Sequence, residues 1–136
     1  MVLIDTNVIL DLLLERPAFL HEAQQISDLA EAGVCRALLC ATTVTTIDYL
    51  ARKQLGSVGA RAAVAALLDL YDIAAVTRAT LQMALASDMP DFEDAVLAHA
   101  AHLAGAKLIV TRNLRDFAKS PVRAYTPAQF LALPTR

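Results

Sequence analysis

Five short apolar runs, each followed by a stretch patterned for a helix, constrain this chain more than any other feature. The runs are Val2–Ile4, Arg36–Ala41 (RALLCA), Ile73–Val76, Lys107–Thr111 (KLIVT) and Val122–Tyr125. Apolar runs without polar alternation need cover on both faces, as strands of a parallel sheet do. Val8, Ile9, Leu12 and Leu13 mark the first helical stretch. The second runs from Pro17 to about Gly33, with Phe19, Ala23, Ile26, Leu29 and Ala30 inward. A third spans Thr42 to Leu55 and stops at Gly56, and an alanine-rich helix capped by Ser57 continues to Leu70. Thr77 or Thr80 opens a helix to Ser87, Asp91 or Phe92 opens one to Gly105, and Thr126-Pro127 opens the last. This alternation, with right-handed crossovers, predicts an α/β fold: a three-layer α/β/α sandwich around a central, mostly parallel sheet. No repeat, low-complexity tract or linker interrupts it, so residues 1–136 read as a single domain.

Composition narrows the class further. Of the residues 57% are hydrophobic, many of them alanine, and only 5% aromatic, which suits close helix packing. No apolar run approaches the roughly 20 residues of a membrane span, and no basic leader with a cleavage site opens the chain. A cytoplasmic protein without a membrane partner is expected, with Cys35 and Cys40 as reduced core thiols and no second pair for a zinc site. The net charge of −2 hides an asymmetry. Residues 1–106 carry 13 acids and 6 bases, whereas residues 107–136 carry Lys107, Arg112, Arg115, Lys119, Arg123 and Arg136 against Asp116 alone. A basic segment beside an acidic cluster can hold a phosphate backbone while metal ions neutralise the acids; an ordinary solvated surface is the alternative.

The acids fall at strand ends and helix starts. Asp5-Thr6-Asn7 follows the first strand, and in open parallel sheets ligands collect outside the carboxyl ends of strands. Helix capping by Asp5 or Asn7 is the structural alternative. Asp91 and Asp94 open a later helix about 60° apart, able to face one site, with Glu93 turned about 100° from Asp94 and solvated. Ala98 and Ala101 lie beneath Asp94 and allow close approach to a strand; acids in a first turn also suit the macrodipole without any function. After the KLIVT strand, Asn113 and Asp116 offer oxygen ligands and Arg112 and Arg115 phosphate contacts, unless Asn113 only makes a turn. Asp5, Asp94 and Asp116, with Asn7, Asp91 or Asn113 as helpers, form an all-oxygen set suited to Mg²⁺ or Mn²⁺. His99 lies about 140° from Asp94 and faces elsewhere.

The order Ile4-Asp5-Thr6-Asn7, Asp91-Phe92-Glu93-Asp94-Ala95, Ile109-Val110-Thr111-Arg112-Asn113 and Asp116-Phe117 resembles the PIN-domain ribonucleases. Within that family it is most similar to the VapC-type toxins of bacterial toxin–antitoxin pairs, over essentially the whole chain. The resemblance implies a PIN-like sandwich and a Mg²⁺- or Mn²⁺-dependent endoribonuclease. Asp5, Asp94 and the Asn113/Asp116 pair match the family's first, third and fourth acidic positions. It departs at the second: Thr46 stands where the family has a glutamate, and Asp48 is about 200° round the helix from it. Asn113 likewise stands where many members carry an acid. Less negative charge predicts weaker metal binding, or one ion instead of two.

On this reading Asp5, Asp94 and Asp116 are catalytic, and Asp91 and Asn113 join them around the metal. Thr6, Asn7, Thr46 and Thr111 support the site, and Arg112, Arg115, Lys119 and Lys53 contact RNA. The resemblance also implies a homodimer and an antitoxin partner, whose helix would lie on Val8, Leu12, Leu13, Phe19 and Ile26. Two rivals differ in class. A PIN-like module that binds RNA or a protein without cutting is favoured by Thr46. An aspartate-nucleophile phosphatase would use Asp5, but wants a second acid where Asn7 stands and a lysine that does not follow.

Overall fold

The computed structural model describes residues 1–134, so Arg136, counted above among the bases, lies outside the described residues. Strands β1 (Val2–Ile4), β2 (Ala37–Cys40), β3 (Asp72–Ala74), β4 (Leu108–Val110) and β5 (Ala124–Tyr125) form one sheet in the order β3-β2-β1-β4-β5. Every pairing is parallel. Helices α1 (Thr6–Leu13), α2 (Leu20–Glu31), α3 (Ala41–Leu70), α4 (Arg78–Leu85), α5 (Phe92–Leu103) and α6 (Pro127–Leu131) surround it, with a 3-10 turn at Leu114–Phe117.

The period of two along each strand sorts side chains into two core layers. Val2, Ile4, Leu39 and Val110 pack with Val8 and Ile9 of α1, Ile26 of α2, Ile47 and Leu67 of α3 and Phe130 of α6. Leu3, Leu38, Cys40 and Ile109 pack on the other face with Ala84 of α4 and Val96, Ala98 and Ala101 of α5. Ala98 and Ala101 are fully buried, the close approach that their size predicts. The sequence therefore specifies three layers, as expected.

The boundaries differ by a residue or two at most strand ends. The second helix starts later than Pro17: the amides of Phe19 and Leu20 both bond the Arg16 carbonyl, so residues 16–20 close a turn and α2 begins at Leu20. Gly56 interrupts α3 at φ 73°, ψ 172°, a conformation reserved almost wholly for glycine, and splits it into two arms that share one core layer. Val8 and Ile26, expected on a partner surface, are core residues instead, because α1 and α2 turn them onto the sheet. Cys35 and Cys40 are both buried, in different layers. Among the described residues no helix is long and apolar enough to cross a membrane.

The strand order fixes where chemistry can sit. From β1 the sheet grows through β2 and β3 on one side and through β4 and β5 on the other. The crevice outside the carboxyl ends of β1 and β4 is thus the topological switch point. Ile4 pairs with Val110, so the next residues, Asp5 and Thr111, emerge there side by side.

Candidate active site

Asp5 is almost fully buried at this switch point. Its amide bonds the Val110 carbonyl at 2.9 Å, continuing the ladder one step past β1. One carboxylate oxygen accepts from the Thr6 amide at 2.7 Å, and the other accepts from the Thr111 hydroxyl at 2.7 Å. Asp5 is also the N-cap of α1, so capping and site placement coincide in one side chain. Burial pushes its carboxyl above the usual range, against the pull of the Thr111 and Thr6 bonds; Glu93 raises it further and Arg112 lowers it. Thr6 is in turn joined to Thr43 of α3, hydroxyl to hydroxyl, at 2.9 Å.

Asp94 lies in the first turn of α5, its amide held by the side chain of the N-cap Asp91 at 2.9 Å. Its carboxyl is pushed up to about 7, first by desolvation and then by the charges of Asp5, Asp91, Asp116 and Glu93. No base figures among those influences. The fold thus brings Asp5, Asp91, Asp94 and Asp116, from three separate stretches of sequence, within electrostatic reach of one another. Glu93, expected to be solvated, is exposed yet adds to the same negative field. Among the described residues no three Asp, Glu, His or Cys side chains are gathered as a ready-made metal cage. The donor chemistry nevertheless fits a hard divalent ion: oxygens only, with the carboxylates of Asp5, Asp91 and Asp116 close enough to raise that of Asp94.

The segment between β4 and the 3-10 turn supplies the remaining candidates. Asn113 precedes the turn and is exposed, its amide bonded to the Thr111 hydroxyl at 3.0 Å, and Asp116 sits within the turn, half-buried. Asn7 accepts from the Arg112 amide at 3.4 Å. Arg112, expected to contact RNA, makes contacts within the protein. Its guanidinium grips both oxygens of Asp11 on α1, at 2.7 and 3.2 Å, and stacks 3.9 Å from the Phe19 ring centroid. Those contacts occupy the group that was expected to hold RNA phosphate. Arg115 and Lys119 are exposed on the same segment, whereas Lys53 lies on α3 with its ammonium 4.8 Å from the Tyr49 ring centroid.

On α3, Thr43 is the residue whose hydroxyl bonds the Asp5–Asn7 segment, through Thr6. The Thr46 hydroxyl donates to the Thr42 carbonyl one turn back at 3.1 Å, so its recorded bond stays within its own helix. Asp48 pairs with Arg52 at 2.8 Å in the cleft between the two arms of α3, on a different side of the helix, as the helical phase predicts. His99 has both ring nitrogens buried with no hydrogen-bond partner among the described residues, and burial, then His102, lowers its pKa. Asp11 escaped the sequence reading. Its one signal was a charge inside the apolar series of α1.

The PIN domain family model matches residues 1–115. No curated protein matches the chain. Solved structures similar to it include a toxin–antitoxin complex from Klebsiella pneumoniae (24% identity, TM-score 0.70, covering 93% of this chain and 98% of that one). FitAcB from Neisseria gonorrhoeae is similar at 20% identity and TM-score 0.71, over 94% and 99% of the two chains. Mycobacterium tuberculosis VapC20, a sarcin-ricin loop cleaving toxin, is similar at 17% identity and TM-score 0.65, over 80% and 87%. The all-parallel five-stranded sheet, its switch-point aspartate and the match over most of the chain lead to one conclusion: the chain belongs to the PIN domain family.

Proposed function

We propose that this protein is a Mg²⁺- or Mn²⁺-dependent endoribonuclease and the toxin of a toxin–antitoxin pair. The observation that carries the reading is structural: Asp5 follows β1 at the switch point, Asp94 opens α5 and Asp116 lies in the turn after β4, so acids from three stretches of sequence meet at one end of the sheet, where burial and then their charges raise the Asp94 carboxyl. A bound divalent ion supplies Lewis acidity toward a phosphodiester and an acidified water. Asp5, Asp94 and Asp116 would hold that ion, with Asp91 and Asn113 as supporting oxygen donors. Thr111 and the Thr6 amide fix both Asp5 oxygens, so the carboxylate is oriented before any ligand arrives. A cation beside Asp94 would favour its ionised carboxylate. Arg115 and Lys119, exposed beyond the site, contact the RNA backbone.

A similar fold comes from a toxin–antitoxin complex, which supports an antitoxin partner. Of the surface expected to receive it, Leu12 and Leu13 are half-buried and Phe19 lies under Arg112. The cleft between the arms of α3, about 590 Å³, combines apolar lining from Val44, Tyr49, Val64 and Leu68 with the charges of Asp48, Arg52 and Arg61, and suits an amphipathic helix better.

A second reading, a PIN fold that binds RNA without cutting it, draws support from Thr46, a neutral side chain in the place of an acid. Incubating RNA with the protein, with Mn²⁺ or with a chelator, separates the two. Cleavage that requires Mn²⁺ and disappears in Asp5→Asn and Asp116→Asn is expected. Tight RNA binding without cleavage would favour the second reading.

A further inference from the structure

Asp11 stands out among the charged groups that the proposed chemistry does not use. It is 1% exposed on α1, a helix whose other inward residues are aliphatic. Burying a carboxylate this deeply is tolerated only when it is paired and hydrogen-bonded. Its partners come from two directions. Arg112 forks onto both oxygens, at 2.7 Å through Nε and 3.2 Å through Nη2, and Arg16 reaches Oδ1 at 3.3 Å. The Arg112 guanidinium, itself 27% exposed, is further held against Phe19. A planar cation gripped by a fork and stacked on a ring has little freedom to leave for a ligand.

What this pair holds in place matters more. Arg112 follows Thr111, whose hydroxyl orients Asp5 and caps the Asn113 amide. The Arg112 amide bonds the Asn7 side chain. Two residues of α1 thus tie the segment that leads from β4 to Asp116, one through the backbone of Arg112 and one through its side chain. We propose that Asp11 and Arg112 are positioning residues: their stacked, forked ion pair anchors the Thr111–Asp116 segment on α1, holding Thr111 to Asp5 and Asp116 toward Asp94. The consequence for catalysis rests on the nuclease reading; the anchoring does not.

The test separates anchoring from RNA contact. Arg112→Gln alone leaves Asp11 buried with only Arg16 and is prone to unfold, so the double variant Asp11→Asn/Arg112→Gln removes both charges together. In that folded variant the backbone order parameters of residues 112–116 are expected to fall from about 0.85 to below about 0.6. Mn²⁺ affinity is expected to weaken by about tenfold or more, as when groups that orient metal ligands are lost. The KM for RNA should stay within about twofold. Should the double variant not fold, Arg112→Lys, which keeps the charge and loses the fork, carries the same readouts. Order parameters and Mn²⁺ affinity equal to wild type, with KM raised, would overturn the inference and make Arg112 an RNA contact. If the wild-type protein neither binds Mn²⁺ nor cuts RNA, the nuclease reading fails, and the order parameters alone still decide the anchoring.

Discussion

At the scale of single residues, the fold holds carboxylates where they repel one another. Asp94 has a folded-state pKa of about 7 against an ordinary 3.8. The folded protein therefore keeps a proton that the unfolded chain has released, and stability should fall as pH rises from about 4 to about 7 and level off above. Asp5 is shifted in the same direction. Asp94→Asn should raise the unfolding temperature of the metal-free protein near pH 8 and flatten that slope, as thermal scans across pH would register. The site was legible here to the extent that its parts lie in short local motifs: Asp5 ends a strand, and Asp91 and Asp94 open a helix. Asp11 was not legible, because its partner Arg112 is 101 residues away and no local pattern links them. Thr46 was legible as a departure, but its hydroxyl turns to the Thr42 carbonyl, which only the folded backbone reveals. Thr46→Glu should strengthen Mn²⁺ binding by supplying the missing charge, while Asp48→Ala, which loses only the exposed pair with Arg52, should leave it unchanged. Calorimetric titration of both variants checks the register of α3.

At the scale of elements, hydrophobic periodicity carried most of the information. Apolar runs located all five strands: β1, β2 and β4 are largely buried and read as unbroken apolar stretches, while the edge strands β3 and β5 keep partly exposed residues. Strand ends shifted by a residue or two, since the last apolar side chain and the last ladder bond need not coincide. Pro17 misled for a specific reason: proline suits a first helical turn, but here the Arg16 carbonyl takes two amides and closes a separate turn first. Gly56 did punctuate α3 as its sequence position suggests. An alanine there meets nothing within 4 Å, so the penalty of Gly56→Ala is backbone strain alone, about 1–3 kcal/mol. Denaturant unfolding should show that loss with no change in Mn²⁺ affinity, because the break lies at the far end of α3's first arm. Thr111→Val, one step past β4, should instead remove a buried bond to Asp5 at about 1–3 kcal/mol and weaken metal binding with it.

At the scale of the whole molecule, the order β3-β2-β1-β4-β5 explains why acids so distant in sequence meet. Parallel strands point their carboxyl ends the same way, so residues following β1 and β4, and the start of the helix α5 that leads into β4, share one end of the sheet. Tyr49, Val58 and Leu68 on α3 and Leu85 on α4 are all more than half exposed. The most direct test of the central claim is calorimetric titration of Mn²⁺ into the wild-type protein at pH 6, in buffers of different ionisation enthalpy, alongside Asp94→Asn. Because Asp94 titrates near 7, wild-type binding should release a proton that Asp94→Asn does not release, and the variant should bind far more weakly. Equal affinity in the two proteins with no proton released would contradict the assignment of these carboxylates to a metal site.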